Sequence, residues 1–455
     1  MKQFKGKKVL VFGLGLNQGG VGSAKFFSSL GAKIRVTDLK TADVLKPSID
    51  QLGNYQIEYV LGKHRNEDID WADLVIKNPA VKPGNTYIEY ALKKRKKVEQ
   101  DMGIFLDYVK PSHLIGVTGT KGKSTTASLI YEVLKNDGRD VVFAGNIGTS
   151  VLDTVPFVKR GTLVVLEISS FQLESFESNK VSPKWAVITN ITPDHLNYYS
   201  SMDEYTQSKI IIGKYQTKDD FLFIRKDDPV IDNLQFLDGL KGKIIRFSKD
   251  DLPKSFKPNL MGEHNLENIA AALAVMSAFD IPKDKALQTL ASFQGVPFRM
   301  ELIKEWCGVK IYNDTTATGP DAGIQTIKTL ASHIGSGNVV LICGGMNKGM
   351  DYTKYAAIAS KFVKKIFFIK GDATDLILLS LRGAKGAHTR KVGTGNLDFH
   401  GPYNDLEQLL TDVRKDVKPG DIILFSPAAT SFNLFQNEFD RGRKFNIAVE
   451  KVFVE

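Results

Sequence analysis

Short apolar runs separated by amphipathic stretches recur along the whole chain. The first is KKVLVFG, followed by the glycine-rich turn GLGLNQGGVG, the segment SAKFFSSLG and a second run, AKIRVTD. Runs of four to eight apolar residues bounded by glycine or proline read as buried strands, and the segments between them carry helical spacing. The pattern predicts strand, glycine turn, helix, strand. DLVIKNPAVKPG ends a further strand, broken by Pro79, Pro83 and Gly84, and a helical stretch is predicted from there to about Val98.

A second series begins near His113 with HLIGVTG, KGKSTTASLIYEVLKNDG, DVVFAG, LVVLEISS and WAVITNIT, and runs through a helix around Asn265 to Phe279 to GVPFRM. From Met300 a third alternation follows: VKIYND, a helix to Ser332, NVVLICGG, a helix near Tyr355 to Val363, KIFFIKG, another helix and DIILFSP. Continuous β-branched runs between amphipathic helices predict mostly parallel sheets covered on both faces. The expected fold is therefore α/β in three domains: 1–98 Rossmann-like, 99–298 central, 299–455 again Rossmann-like. A length of 455 residues, 42% hydrophobic and 25% charged, suits about three domains. The three units share an architecture and not a sequence period.

Composition narrows the setting. The N-terminal apolar run meets glycines at once, without the long apolar region and small-residue cleavage site of a secretory signal, and no stretch approaches the roughly 18 to 20 apolar residues of a membrane helix. A soluble, cytoplasmic protein is expected, with no membrane insertion, and a monomer. Cys307 and Cys343 lie in apolar sequence without a CxxC pair and read as small core residues. The net charge of +10 is spread along the chain without a nucleic-acid motif, so no nucleic-acid partner is expected. The run Lys93 to Lys97 reads as the solvated end of a helix. A positive surplus also suits phosphorylated substrates.

The strongest local signal is GVTGTKGKST, residues 116 to 125, between an apolar strand and a helix. In that context the backbone amides of Gly119, Thr120, Lys121, Gly122, Lys123, Ser124 and Thr125 can cradle phosphate. Lys123 can reach β and γ oxygens, and the Ser124 hydroxyl can face Mg²⁺. Val117 stands where the strict pattern has glycine, and a purely structural turn is the competing reading. Glu167 follows LVVL, and Asp194 with His195 follows WAVITNITP, at strand ends where open α/β sheets place ligands. Singly these are equally ordinary loop charges. Together with a phosphate loop they suggest Mg²⁺, with His195 a less usual partner for a hard cation. Lys209, in EYTQSKI, reads alone as a surface lysine. Gly13-Leu14-Gly15 invites a dinucleotide reading, but the third fingerprint position falls on Gln18, so that signal is incomplete.

Taken in order, GVTGTKGKST, GNIG, LEISSFQLE, NITPDHL, the lysine of SK at 208 and 209, GEHNLENIAAA, PFRME, NDTTAT, GGMNKG and SPAATSF span the chain. In this the sequence resembles the Mur ligases, which join an amino acid to a UDP-linked carboxylate at the expense of ATP. LEISSFQLE and the order of the C-terminal motifs look most like the glutamate-adding member. The resemblance implies catalytic roles for Lys123, His195 and Lys209, with Ser124, Glu167, His195 and a carbamylated Lys209 holding two Mg²⁺ ions. It implies that Asn146, Asn268, Arg299 and Asp314 contact the nucleotide. UDP-N-acetylmuramoyl-L-alanine would bind near Gly15, Asp38 and Asn78, and glutamate near Thr318, Lys348 and Ser431. It further implies that the substrate carboxylate attacks the γ-phosphate and that the amine then displaces phosphate from the acyl phosphate.

Departures gather where glutamate is expected: Thr316 replaces the lysine of NDSKAT, Phe298 stands where PHR is frequent, and Glu438 occupies an often aromatic position beside Phe439. L-glutamate is therefore an alternative to D-glutamate. A folylpolyglutamate synthase-like ligase, a nicotinamide-dependent dehydrogenase and a non-catalytic phosphate-loop protein are the rival readings.

Overall fold

The computed structural model describes residues 4–454 apart from 17, 146–149, 196–197, 233, 261, 335–336, 348, 384–397 and 432–433. Three sheets organise them, each from one of the alternations. The first contains β1 (Lys8–Phe12), β2 (Lys33–Asp38), β3 (Ile57–Leu61), β4 (Leu74–Lys77) and β5 (Lys97–Glu99), in the order β3-β2-β1-β4-β5. The second contains β6 (Leu114–Thr118), β7 (Val141–Gly145), β8 (Leu163–Glu167), β9 (Trp185–Ile188), β10 (Phe221–Arg225) and β11 (Lys243–Phe247), in the order β11-β10-β9-β6-β8-β7. Both are parallel throughout. Strands such as β6 and β9 are buried at every position, as continuous apolar runs require when helices cover both faces.

The third sheet contains β12 (Glu301–Trp306), β13 (Val309–Asn313), β14 (Val339–Gly344), β15 (Val363–Ile369), β16 (Asp398–Tyr403) and β17 (Ile422–Phe425), ordered β12-β13-β17-β14-β15-β16. Only β12 is antiparallel, pairing with β13. That hairpin was not legible in the sequence, and it corrects one reading: Cys307 sits in its turn, exposed, at φ 47° beside Gly308 at φ 76°, whereas Cys343 is buried in β14 as expected. The predicted helix reaching Val98 also ends early. It spans Thr86–Lys93, Arg95 turns the chain at φ 55°, and Val98 lies in β5. Lys96 departs from the otherwise exposed basic run, since its Nζ donates to the carbonyls of Asp70 and Ala72, each at 2.7 Å, at the end of helix Asn66–Trp71.

Contacts divide the chain into two compact units, Met1–Lys257 with Glu263–Ser292, and Pro258–Gly262 with Phe293–Glu455. In the first unit one apolar core runs through both sheets. Met102 and Phe105 of helix Asp101–Leu106 and Val151 and Val155 join Val21 and Phe27 on one side to Leu114 and Val164 on the other. Among the described residues no helix is long and apolar enough to cross a membrane.

Asp101 lies in this core and accepts the Met102 amide at 2.8 Å. Burial pushes its carboxyl from 3.8 up to about 6. A carboxyl raised in the native state contributes full stability below its unfolded value and loses it as pH rises through the folded value. Asp101→Asn is therefore expected to stabilise the protein by about 1–2 kcal/mol at pH 8 and by much less at pH 4. Urea unfolding at pH 4, 6 and 8 checks this; a difference independent of pH would refute it.

Candidate active site

β6 ends at Thr118 and passes straight into the glycine loop. Gly119 adopts φ 147° and Gly122 φ 84°, where L side chains are strained. A Cβ on Gly119 would lie 2.0 Å from Thr189 Oγ1, and one on Gly122 would lie 2.2 Å from Asn268 Oδ1, so both positions exclude a side chain. Helix Lys123–Asn136 begins at once, with Gly122 as its cap and no side-chain capping bond. Its first-turn amides and positive dipole end are then presented by a loop whose shape suits phosphate. Ser124 is buried and Thr125 half-buried in that first turn.

The segment after β9 clamps the loop, a role the sequence reading did not assign. The Thr120 amide donates to the Asn190 carbonyl at 2.9 Å and the Lys121 amide to Asn190 Oδ1 at 3.0 Å. Asn190 Nδ2 and Thr189 Oγ1 both donate to the Lys121 carbonyl, at 2.9 and 2.6 Å. Thr120 Oγ1 donates to the Thr192 carbonyl, accepts the Thr192 amide and lies 3.1 Å from the Tyr205 hydroxyl. A strand-end Asn-Ile-Thr is the only sequence trace of this clamp.

Three lysines and a histidine converge on it. Lys123 Nζ donates to the Gly119 and Thr120 carbonyls at 3.1 and 3.0 Å. Lys209 was read alone as a surface residue, but it is 1% exposed; its Nζ donates to the Gly119 carbonyl at 2.9 Å and lies 4.6 Å from the Tyr205 ring centroid. Burial first, and then the Lys123 charge, push the Lys209 amine from 10.5 down to about 7. Lys121 Nζ pairs with Asp194 at 3.1 Å. His195, at φ 53°, is pushed below its usual value, by burial above all and then by Lys209, Lys123 and Lys121 against the opposing Asp194. Its imidazole is therefore neutral at pH 7, the form that can act as a ligand or proton acceptor. Glu167 is buried at the end of β8, where Val117 of β6 is its register partner and a Cβ on Gly145 would touch its carbonyl oxygen.

The residues fit the groups the resemblance implies. A cavity of 330 Å³ bordered by Lys121, Gly122, Asn190 and Asn268 adjoins the glycine loop and leaves room for part of a nucleotide. Asn268 is buried and receives the Thr126 hydroxyl at 3.3 Å. Among the described residues no three His, Cys, Asp or Glu side chains cluster as a dedicated metal cage. Ser124 in the first turn of helix Lys123–Asn136 and Glu167 at the end of β8 offer oxygen ligands of the sparse kind that Mg²⁺ uses when phosphates complete its shell. Asn146 lies outside the described residues.

At the carboxyl edge of the first sheet, Gly15 and Asn78 meet where the strand order reverses around β1, the place where such sheets hold ligands. Asp38 is less available than the sequence suggested. It is buried, and its two oxygens accept the Gly15 and Lys40 amides, each at 2.9 Å, so it shapes the glycine turn. Asn78 Oδ1 accepts the Ala80 amide at 3.0 Å.

Within the second unit, Arg299 is exposed in a turn between Phe298 (φ 67°) and Met300 (φ 50°). Asp314 is buried, holds Thr326 Oγ1 at 2.6 Å, Ser426 Oγ at 3.0 Å and the Met300 amide at 3.2 Å, and is pushed up to about 6 by burial. Thr316 Oγ1 donates to the Phe298 carbonyl at 3.0 Å, so this departure from the family pattern supports the same turn. Thr318 is half-buried, and its amide donates to the Thr316 carbonyl at 2.9 Å. Ser431 is buried, and its hydroxyl has no partner among the described residues. Lys348 lies outside them. The sequence reading missed Arg441, which is 1% exposed and ties both loops together, donating to Thr315 Oγ1 and O at 2.9 and 2.7 Å and to the Ala429 carbonyl at 2.9 Å.

Comparison with known proteins gives one consistent picture. Family models match residues 7–99 (Mur ligase MurD-like, N-terminal domain), 117–258 (Mur ligase middle domain) and 298–429 (Mur ligase, glutamate ligase domain). The chain is 35% identical over 483 residues to the UDP-N-acetylmuramoylalanine--D-glutamate ligase of Roseiflexus sp. (strain RS-1), covering 98% of this chain and 99% of that one. It is 36% identical over 471 residues to the enzyme of the same name from Borreliella afzelii (strain PKo), covering 99% of each. The crystal structure of UDP-N-acetylmuramate-alanine ligase MurC from Thermotoga maritima shares the fold, with a TM-score of 0.59, 20% identity and coverage of 98% and 99%. With a clamped glycine loop at the heart of its second sheet and full-length identity above 30%, the chain belongs to the Mur ligase family.

Proposed function

We propose that this chain is an ATP-dependent ligase that joins D-glutamate to UDP-N-acetylmuramoyl-L-alanine, releasing ADP and phosphate, in peptidoglycan synthesis. The observation that carries the reading is the convergence of Lys123 and Lys209 on the Gly119 carbonyl, in a chain alike from end to end to D-glutamate ligases. Domain limits of 1–98, 99–298 and 299–455 accompany it.

The substrate carboxylate attacks the γ-phosphorus of ATP and ADP leaves; the glutamate amine then attacks the acyl carbon and phosphate leaves. Lys123 stabilises charge on the transferring phosphoryl group, and the loop amides from Gly119 to Thr125 orient it. Ser124, Glu167, His195 and a carbamate on Lys209 would hold Mg²⁺, which would supply the charge neutralisation that lets one anion approach another. Lys209 reaches that form when its neutral amine attacks CO₂, forming an N–C bond and releasing one proton. Its depressed basicity supports this, because a buried amine near 7 is substantially unprotonated at neutral pH. Asn146, Asn268, Arg299 and Asp314 serve the nucleotide; Gly15, Asp38 and Asn78 serve the UDP-sugar, and Thr318, Lys348 and Ser431 the incoming glutamate.

Stereochemistry rests on the Thr316 position. With its hydroxyl committed to the Phe298 carbonyl, Thr316 offers no cation to a carboxylate, so Lys348, Thr318 and Ser431 carry more of that task. Separate phosphate-release assays with D-glutamate, L-glutamate, aspartate and lysine are expected to show turnover with D-glutamate. Product with L-glutamate alone would overturn the stereochemistry and keep the ligase; release with none of the four would overturn the substrate assignment.

A further inference from the structure

Lys77 is the last residue of β4, a strand buried at all four positions. Its side chain is 8% exposed, and an ammonium there costs several kcal/mol unless it is paired. The partner lies 97 residues away on the next domain: Nζ donates to both oxygens of Glu174, each at 2.7 Å. Gln100, buried just after β5, reaches the same place. Its Nε2 donates to Glu174 Oε2 at 2.9 Å and to the Phe171 carbonyl at 3.1 Å, and its Oε1 accepts the Ser175 hydroxyl at 3.3 Å. Two strand ends of the first sheet thus grip the first turn of helix Leu173–Asn179 and, through Gln100, the Phe171 carbonyl just before it.

On the far side of that turn the Phe171 ring packs against His195 at 5.1 Å, Tyr198 at 4.5 Å and Tyr199 at 6.0 Å. Next to Lys77 in the chain, Asn78 borders Gly13 and Gly15. A continuous row of contacts therefore runs from the glycine turn of the first domain to the imidazole. Two apolar residues of similar shape would stabilise a buried strand end as well as an ion pair does, so what the pair adds is direction. A cavity of 170 Å³ lies beside Lys77, Gln100 and Glu174. On that side the strand ends and the first turn of the helix are thus joined by hydrogen bonds more than by close packing.

We propose that Lys77 and Gln100 are positioning residues for the ligation: through Glu174 and the Phe171 carbonyl they set the Phe171 ring, and with it His195, relative to the strand end where Asn78 borders the sugar-nucleotide site. The kinetic part rests on the ligase reading above.

The test compares Glu174→Met with Lys77→Met/Glu174→Met for Tm, for hydrogen exchange of residues 168–176, and for kcat and KM with UDP-N-acetylmuramoyl-L-alanine, D-glutamate and ATP. The single variant strands the buried Lys77 ammonium and should lose both Tm and kcat. The double variant removes both charges and should regain Tm. Its kcat should stay down about tenfold or more, with the KM for ATP changed less than about twofold, because a slightly misplaced group costs rate. Residues 168–176 should exchange faster than in wild type. A double variant with wild-type exchange and kcat within about twofold of wild type overturns the proposal. Gln100→Met leaves the ion pair in place but removes three buried hydrogen bonds; it should lower Tm moderately and, assayed well below that Tm, slow kcat and speed exchange, and wild-type values for both would equally overturn the proposal. Wild-type protein that forms no product with these substrates defeats the ligase reading instead, and the exchange measurement then decides the positioning.

Discussion

Lys123→Ala is expected to lower kcat by about three orders of magnitude while the protein stays folded. The transferring phosphoryl group needs a fixed positive charge beside it, and Lys123 is the cation that opens the helix directly after the glycine loop. Its ammonium folds onto the Gly119 and Thr120 carbonyls, a resting place from which γ-phosphate oxygens can draw it. Alanine is the strongest helix former, so helix Lys123–Asn136 should persist and the circular dichroism spectrum should not change. Release of phosphate in a single turnover, with the melting temperature as control, separates a lost catalytic charge from a lost fold. Near-normal turnover in a folded Lys123→Ala protein would remove Lys123 from the mechanism.

Lys209→Ala should be nearly as severe, for a different reason. As an ammonium, this buried group sits among Lys123 and Lys121 and would repel Mg²⁺; as a carbamate, it reverses its charge and attracts the metal. On the proposed reading, deleting it would remove a metal ligand rather than a phosphate contact. The cavity left behind is lined by Tyr205 and the Gly119 carbonyl, and a small carboxylate from solution can enter it. Formate or acetate is expected to restore part of the activity of Lys209→Ala and none of that of Lys123→Ala. Intact-protein mass measured under CO₂ should show an added carboxyl group on wild type. An active wild-type enzyme with unmodified Lys209, or a variant that carboxylates never rescue, would sink this role.

The local pattern of the chain was enough to place β1, β2, β4, β6 to β9, β13 to β15 and β17, several of its helices and its glycine loop. Buried strands must be continuously apolar, a glycine run must carry the turn that side chains cannot, and ligands of open parallel sheets lie past strand ends. The placement of Glu167 at the end of β8 and of His195 past β9 was legible for that reason. Helix limits were less so: the basic run after Lys93 hides the turn at Arg95, and β12, the antiparallel partner of β13, was invisible because its positions alternate too weakly to stand out. Lys209 shows the boundary most clearly. Its neighbours in the sequence spell a surface helix, and only the fold turns that face of helix Met202–Lys214 onto the glycine loop. Asp38, Asn190, Arg441 and the Lys77–Glu174 pair belong to the same class. Each acts through partners brought close by strand order, and no periodicity of two or 3.6 residues encodes which distant backbone amide or carboxylate a buried polar group will meet. Burial then decides the rest. A polar side chain shut away from water must find a partner or change its charge, and only the tertiary structure determines which residues are shut away.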